Sequence, residues 1–313
     1  MQNTPNLIVI LGPTATGKTR LAANLANSIK SEIISADSRQ VYKQMDIGTG
    51  KDKNQYIVEG STIPHHLVDI KLAGENYHVA DFQTDFATAF DQIQSKGKIP
   101  ILCGGTGMYI DAVLKNYQFT SIPNDTKLAT ELAKMSPSAL KKLFQEFPSD
   151  YSLLADISTR KRLERAIQIA FYLKENPMRG NKAPTLNPLI FGLLMPVEKR
   201  RQCITERLHA RLKEGLVQEV KGLLEQGISP EKLVFYGLEY RFVTEYLLGK
   251  MEYDEMVEKL NIAIHQFAKR QMTYFRKMER DGQKIYWLDA ENDIEPNLSE
   301  IKKQLWNPSK YLS

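Results

Sequence analysis

Residues 12–19, with the sequence Gly-Pro-Thr-Ala-Thr-Gly-Lys-Thr, have the composition and spacing of a phosphate-binding loop. They match the pattern G-x-x-x-x-G-K-[ST], in which the glycines let backbone N–H groups turn toward an anion and the last two residues add a cation and a metal-binding hydroxyl. We therefore expect a phosphate compound to bind at this loop, with the last residue as the metal ligand. The loop consists of Gly12, Pro13, Thr14, Ala15, Thr16, Gly17, Lys18 and Thr19.

The segments on either side of this loop have the patterns that its chemistry requires. Residues 8–11 are a short apolar run that fits a buried strand, and residues 19–26 have helical periodicity. A helix that begins at the loop directs its free N–H groups and the positive end of its dipole toward an anion. The motif does not identify the compound that carries the phosphate.

Two further predicted strands end in turns that could contribute to the same site. Residues 32–35 lead into Asp37, and residues 99–103 lead into the Gly-Gly-Thr-Gly turn that contains Thr106. Ligands of open α/β sheets bind outside the carboxyl ends of the strands, so Asp37 would face the same crevice as the phosphate-binding loop. Its position alone leaves a second interpretation open, because Asp before Ser often only stabilises a turn.

The second of these strands lacks the terminal acidic residue that an ATPase normally uses to help hold magnesium. This absence makes a nucleoside triphosphatase a poor interpretation. Small-molecule kinases and transferases that bind phosphate compounds remain open.

The composition describes an ordinary soluble protein of 313 residues with 42% hydrophobic residues. No apolar run approaches the roughly 18 residues of a membrane span, and the first residues lack the charged start of a signal peptide. The two cysteines, Cys103 and Cys203, are too far apart in sequence to indicate a zinc site or a disulfide framework. We therefore expect a cytoplasmic protein without membrane association.

Positive charge is concentrated in one part of the chain. Residues 160–213 contain 13 lysines and arginines against four glutamates and no aspartate, a local charge of +9, whereas the chain as a whole carries +5 and the remainder therefore −4. Such a segment is either a set of solvated helix faces or the binding surface of a polyanion such as a nucleic acid.

The order of the predicted elements indicates an α/β fold with a P-loop NTPase-like parallel-sheet core and an inserted all-helical domain. Residues 1–121 would form the first part of the core, residues 122–187 the helical insertion, and residues 188–313 the second part with a long C-terminal helix. Residues 41–78 have an irregular pattern, and residues 175–188, rich in proline, would be the linker back to the core.

Six stretches together resemble the bacterial tRNA dimethylallyltransferase family, also called tRNA isopentenyltransferases. The resemblance extends over most of the chain and is far more specific than the phosphate-binding loop alone. The matching stretches are residues 12–19, 37–52, 64–70, 104–110, 160–168 and 267–277.

This resemblance implies an activity and its partners. Members of the family transfer a dimethylallyl group from dimethylallyl diphosphate to the exocyclic amine of the adenosine 3′ of the anticodon in tRNA, with the assistance of Mg²⁺. Their core resembles P-loop kinases, and their helical insertion helps to grip the anticodon stem-loop. For this chain we expect the same substrates, Mg²⁺ as cofactor, and a monomer.

The resemblance also assigns roles to individual residues. It implies that Asp37 is the catalytic base, that Thr106 binds the target nucleotide or supports the aspartate, and that Arg207 contacts the diphosphate. Without the resemblance, Arg207 would be interpreted as an exposed helix arginine paired with a carboxylate. The residues expected to contact tRNA are Asp37, Ser38, Arg39 and Gln40 in the core, and Lys161, Arg162, Leu163, Glu164 and Arg165 in the insertion.

The sequence departs from the common family pattern at several positions. Ile264 and His265 stand where Thr-Arg is common, Tyr274 replaces a tryptophan, Leu238 replaces a tyrosine, and Gly50 replaces an alanine. These positions leave the proposed chemistry intact and concern the gripping of tRNA.

Three other functions use parts of the same pattern. A nucleoside or shikimate-type kinase would use the loop for ATP but has no need of the long basic segment. An isopentenyltransferase acting on free adenine nucleotides would share the chemistry without the tRNA-gripping region. A non-catalytic RNA-binding protein would explain the basic segment but not the loop, the aspartate and the threonine together.

Overall fold

A computed structural model describes residues 4–148, 150–176 and 183–306. The chain divides into two compact units, of which the first combines Met1–Asn116 with Pro184–Ser313 and the second is Tyr117–Ala183. Among the described residues, no helix has both the length and the apolar character needed to cross a membrane.

The first unit is built on a six-stranded sheet in which all neighbouring strands pair in parallel. Its strands are β1 (Leu7–Leu11), β2 (Ile33–Ser35), β5 (His65–His66), β6 (Ile101–Gly104), β7 (Pro188–Leu194) and β8 (Ile285–Asp289); β3 (Ile57–Val58) and β4 (Ser61–Thr62) form a separate hairpin. The spatial order is β5-β2-β6-β1-β7-β8, so β1 lies between β6 and β7. This arrangement confirms the predicted α/β class with a parallel-sheet core.

Helices cover both faces of this sheet. Alternate residues of β1 face opposite sides: Leu7, Val9 and Leu11 belong to one hydrophobic cluster, and Ile8 and Ile10 belong to the other. The helices of this unit are α1 (Lys18–Ser28), α2 (Val79–Gln94), α3 (Gly107–Leu114), α8 (Val197–Glu214), α9 (Leu216–Glu225), α10 (Pro230–Phe235), α11 (Leu238–Leu247), α12 (Tyr253–Arg280) and α13 (Ile294–Trp306).

The segment 41–78 has more regular structure than its sequence indicates. It contains a short 3₁₀ helix at Lys53–Tyr56, the β3–β4 hairpin and the edge strand β5. Contacts with distant residues hold β5: the His66 imidazole lies 2.9 Å from a carboxylate oxygen of Glu32, and the His65 ring stacks on Tyr56 at 4.2 Å between centroids. Both histidines therefore have structural partners, which the local pattern does not reveal.

In the described part of the second unit, the regular secondary structure consists of helices joined by loops. It consists of α4 (Thr126–Leu132), α5 (Pro137–Gln145), α6 (Asp150–Leu154) and α7 (Arg160–Glu175) around its own apolar core, which includes Leu140, Phe144 and Ile167. Side-chain oxygens of Asp125, Ser136 and Thr159 cap α4, α5 and α7 and satisfy N–H groups that a helix leaves free. Of the linker expected at residues 175–188, residues 177–182 lie outside the described part.

Candidate active site

A cavity of about 800 Å³ lies at the carboxyl ends of β1, β2 and β6. Its lining includes residues 14–19 of the phosphate-binding loop, Asp37, Thr106 and Arg207. Four sequence segments that are far apart in the chain thus contribute to one cavity. Parallel strands present their carboxyl ends at the same edge of the sheet, which explains why the segments after β1, β2 and β6 meet here. The fourth segment, with Arg207, belongs to α8.

The phosphate-binding loop closes on itself between β1 and α1. The Thr16 hydroxyl donates to the Pro13 carbonyl oxygen at 2.9 Å, and Lys18 Nζ donates to the same oxygen at 2.6 Å. Gly17 precedes α1 with φ = 76°, a left-handed conformation that side chains disfavour. The glycine thus permits a tight turn directly before α1, whose first residues line the cavity.

Lys18 is a half-buried cation. Its pKa is lowered to about 8, mainly by removal of the ammonium group from water; Cys103 raises it, the positive charge of Arg207 lowers it, and Asp37 raises it, each by a smaller amount. In the described residues its ammonium group has a carbonyl oxygen as hydrogen-bond partner but no carboxylate within 4.0 Å. A bound anion would stabilise the positive charge of Lys18, so this position favours an anionic ligand.

Gln271 of α12 connects the phosphate-binding loop to the turn after β6. Its Oε1 accepts from the Thr14 backbone N–H at 2.9 Å, and its Nε2 donates to the Gly105 carbonyl at 2.9 Å. The residue is only 8% exposed. The sequence does not predict this role, because only the resemblance of residues 267–277 singles out the segment and nothing local indicates the partners of Gln271.

Asp37 and Thr106 are placed by hydrogen bonds between the ends of β2 and β6. Asp37 Oδ1 accepts from the Arg39 backbone N–H at 2.9 Å, and Thr106 Oγ1 accepts from the Ser38 N–H at 3.1 Å. A Cβ at Gly104 would lie 2.2 Å from the carbonyl oxygen of Ala36, so only glycine permits this approach. Asp37 thus both shapes its turn and lines the cavity.

Arg207 lies on α8, and its side chain lines the cavity. Its Nη2 donates to the Gly50 carbonyl oxygen at 3.3 Å. Burial, followed by the charge of Arg211, lowers its pKa to about 10, against smaller opposing effects of Glu239, Asp52 and Asp37. The guanidinium nonetheless keeps its charge at neutral pH, and it lines the same cavity as Lys18.

Glu219 of α9 holds the loop that carries Gly50. Its carboxylate accepts from the backbone N–H groups of Asp46, Ile47 and Gly48 at 2.8, 2.7 and 2.9 Å, and from the Tyr240 hydroxyl at 2.7 Å. The sequence does not predict this role either, since the carboxylate and the loop whose N–H groups it binds are separated by a large part of the chain.

The other core residues expected to contact tRNA also line the cavity. The Arg39 guanidinium lies 5.2 Å from the centroid of the Phe235 ring, and Gln40 Nε2 donates to the Gly50 carbonyl at 3.2 Å. Ser38 adjoins them through its bond to Thr106.

The five insertion residues expected to contact tRNA differ in their surroundings within the helical unit. Leu163 is buried in its core, and Glu164 pairs with Arg160 at 2.8 Å. Arg165 donates to the carbonyl oxygens of Ile122 and Pro123. Arg162 pairs with an exposed Asp156 at 2.8 Å, and Lys161 is exposed.

The residues present suit a metal ion shared with a ligand. In residues 4–148, 150–176 and 183–306 there is no cluster of three or more His, Cys, Asp or Glu that could hold a metal alone. Thr19, however, offers a hydroxyl at the edge of the cavity, next to the loop that would bind phosphate. Magnesium is commonly held by few protein groups together with phosphate oxygens and water.

Comparisons with known proteins give a consistent picture. The family model described as IPP transferase matches residues 40–278. A protein of Phocaeicola vulgatus named tRNA dimethylallyltransferase 2 is 50% identical over 296 residues, which span 95% of this chain and 96% of that relative.

Solved structures extend the likeness to the fold. The full-length tRNA isopentenylpyrophosphate transferase from Bacillus halodurans superimposes with a TM-score of 0.71 at 31% identity, covering 98% of each chain. A eukaryotic dimethylallyltransferase acting on tRNA superimposes with a TM-score of 0.74 at 25% identity, covering 96% of this chain and 79% of that one. The matches extend over both units of the chain.

Proposed function

Because the chain belongs to the IPP transferase family, we propose that it transfers the dimethylallyl group of dimethylallyl diphosphate to the exocyclic amine of the adenosine 3′ of the anticodon in tRNA. The C–O bond to the diphosphate breaks, the new C–N bond forms, and the amine loses one proton. The observation that carries this proposal is the convergence of the phosphate-binding loop, Asp37 and Arg207 on one cavity.

The diphosphate would be the leaving group, and its negative charge must be neutralised as the C–O bond breaks. The backbone N–H groups at the start of α1 and the cations of Lys18 and Arg207 would do this, since these residues line the cavity. A magnesium ion held by Thr19 together with the diphosphate would add Lewis-acid stabilisation of the same charge.

The exocyclic amine of adenine is a weak nucleophile, because its lone pair is delocalised into the ring. Asp37 would accept the amine proton as the C–N bond forms. The hydroxyl of Thr106, bonded to the neighbouring Ser38 N–H, would keep the turn of Asp37 in place. The adenosine must leave the stack of the anticodon loop to enter the cavity, which costs a few kcal/mol and less in a single-stranded loop.

We further propose that residues 38–40 contact the anticodon loop and that the helical unit binds the anticodon stem-loop through exposed cations such as Lys161 and Arg162. We expect the enzyme to act as a monomer in the cytoplasm. The proposed tRNA contacts follow from the charge of residues 160–213 and from the resemblance. The salt dependence of tRNA binding tests the role of the cations.

The decisive experiment supplies purified protein with Mg²⁺, labelled dimethylallyl diphosphate and either unmodified tRNA or AMP. We expect label in tRNA and none in AMP. Label in AMP alone would make the chain an isopentenyltransferase of free nucleotides, and phosphate transfer from ATP would make it a kinase. Binding of tRNA without transfer of label to any acceptor would leave only the RNA-binding interpretation.

A further inference from the structure

Arg211, one helical turn after Arg207 on α8, brings a second guanidinium to the cavity. Residues four apart on a helix share a face, and both arginines line the cavity. The side chain of Arg211 is 12% exposed, and its Nη1 donates to Glu239 Oε1 at 3.2 Å. Neither the sequence motifs nor the resemblance singled out this residue.

The two guanidinium groups meet at Gly50. A Cβ built on Gly50 would lie 1.7 Å from Arg211 Nη2 and 2.5 Å from Arg207 Nη2. The two positively charged groups therefore lie side by side over the same glycine, which has φ = 64°. Any residue with a side chain at this position would have to displace both Arg211 and Arg207.

The two guanidinium groups have one close carboxylate between them among the described residues. Glu239 pairs with Arg211, whereas Asp52 and Asp37 act on Arg207 only from beyond 4.0 Å. Two adjacent cations in a largely buried position repel each other, whereas an anion between them would reverse the sign of the interaction. The cluster is thus arranged for an additional negative group.

We propose that Arg211 is a second guanidinium ligand of the diphosphate, which it would hold together with Arg207, while Glu239 and Gly50 fix its position. This inference rests on the proposed function. The ligand chemistry is a phosphate oxyanion, for which paired guanidinium groups offer several charge-assisted hydrogen bonds. A backbone phosphate of the tRNA has the same chemistry, so the experiment separates the two sources.

The first test measures direct binding of inorganic diphosphate with Mg²⁺ by calorimetry, and of unmodified tRNA in a separate titration. In Arg211→Gln we expect diphosphate binding about tenfold weaker, as for the loss of one hydrogen bond to a charged group, with tRNA binding within twofold of the wild type. Lys221→Gln, which removes an exposed cation on α9, is the control for net charge.

The second test displaces the guanidinium groups of Arg211 and Arg207 without removing their charges. Gly50→Ala places a methyl group within 1.7 Å of Arg211 Nη2 and 2.5 Å of Arg207 Nη2, so it should weaken diphosphate binding at least as much as Arg211→Gln. Gly60→Ala is the matched control, because Gly60 has φ = 76° and nothing within 4 Å of a built Cβ. It imposes the same backbone strain without touching an arginine.

Diphosphate binding that is unchanged in both Arg211→Gln and Gly50→Ala would overturn the inference. Weaker tRNA binding with unchanged diphosphate binding would also overturn it and assign Arg211 to an RNA phosphate. Since neither titration requires prenyl transfer, these outcomes are independent of the result of the labelling experiment. A wild-type protein that binds diphosphate but labels no acceptor would refute the proposed function alone.

Discussion

The side-chain amide of Gln271 occupies the space that a side chain at residue 105 would need, because a Cβ on Gly105 would lie 2.5 Å from Gln271 Nε2. The amide thereby reaches two loops at once, with the Thr14 N–H on one side and the Gly105 carbonyl on the other. The position of the phosphate-binding loop relative to the turn of Thr106 is thus set by a helix close to the end of the chain.

Replacing Gln271 with methionine should preserve the volume of the side chain and remove both hydrogen bonds. The unpaired Thr14 N–H and Gly105 carbonyl should lower the free energy of unfolding by about 1–3 kcal/mol. We also expect a several-fold higher KM for the allylic diphosphate, since the loop is no longer fixed. Chemical denaturation and steady-state kinetics measure the two effects. The exposed Gln266→Met on the same helix should change neither, and a Gln271→Met variant equal to the wild type would refute this role.

Asp37→Asn keeps an oxygen that can accept from the Arg39 N–H but removes the proton acceptor. We expect the single-turnover rate of transfer to fall by about 10²–10⁴-fold, with tRNA binding nearly unchanged. Rapid-quench kinetics and a binding titration give both values. Asp91→Asn, at an exposed position on α2, controls for the loss of a carboxylate. Activity that survives in Asp37→Asn within a few-fold would show that another group is the base.

Thr106→Val should shift the carboxylate of Asp37 without removing its capacity to accept a proton. The variant leaves the Ser38 N–H without its 3.1 Å acceptor, so the turn that carries Asp37 loses a fixed contact. We expect the transfer rate to fall about tenfold, a loss of the size of one hydrogen bond. Thr106→Ser keeps the hydroxyl and should restore most of the rate. Equal activity of the valine and serine variants would exclude the hydroxyl from any role.

The lowered pKa of Lys18 predicts a pH dependence. With a pKa of about 8 in the free protein, the ammonium group loses its proton as the pH rises through this value, and the site loses a cation that the diphosphate requires. kcat/KM for the allylic diphosphate should therefore decrease above about pH 8, because this ratio reports groups of the free enzyme. Lys18→Arg keeps its charge over this range, so its profile should lack that decrease, whatever its absolute activity. The same decrease in both proteins would assign the titration to another group.

The helical unit offers a test of tRNA binding that preserves its fold. Lys161→Gln with Arg162→Gln removes two exposed cations, and each lost phosphate contact should reduce the slope of log K against log salt by about 0.7–0.9. Arg165 is left intact because it holds the carbonyls of Ile122 and Pro123. Lys141→Gln with Lys142→Gln, exposed on α5, is the control pair. Equal slopes in the first pair and the wild type would place the contact surface elsewhere.

The sequence predicts best what a local pattern determines. The β1–loop–α1 unit follows from a short motif and two periodicities, and Asp37 follows from its place after a strand. β5 was not predicted, because two residues without apolar alternation form a strand only through their pairing with β2. Gln271 and Glu219 were missed for a related reason: their partners are backbone groups in distant segments, which no spacing in the sequence indicates.

The place of β1 in the sheet has a consequence for the synthesis of the chain. β1 pairs with β6 on one side and with β7 on the other, and the whole helical unit lies between these two strands in sequence. During synthesis, the edge of β1 that pairs with β7 therefore stays unpaired until the helical unit has been translated. An exposed apolar edge of this kind favours misassembly. The time needed to translate the helical unit thus determines how long the nascent core is open to aggregation.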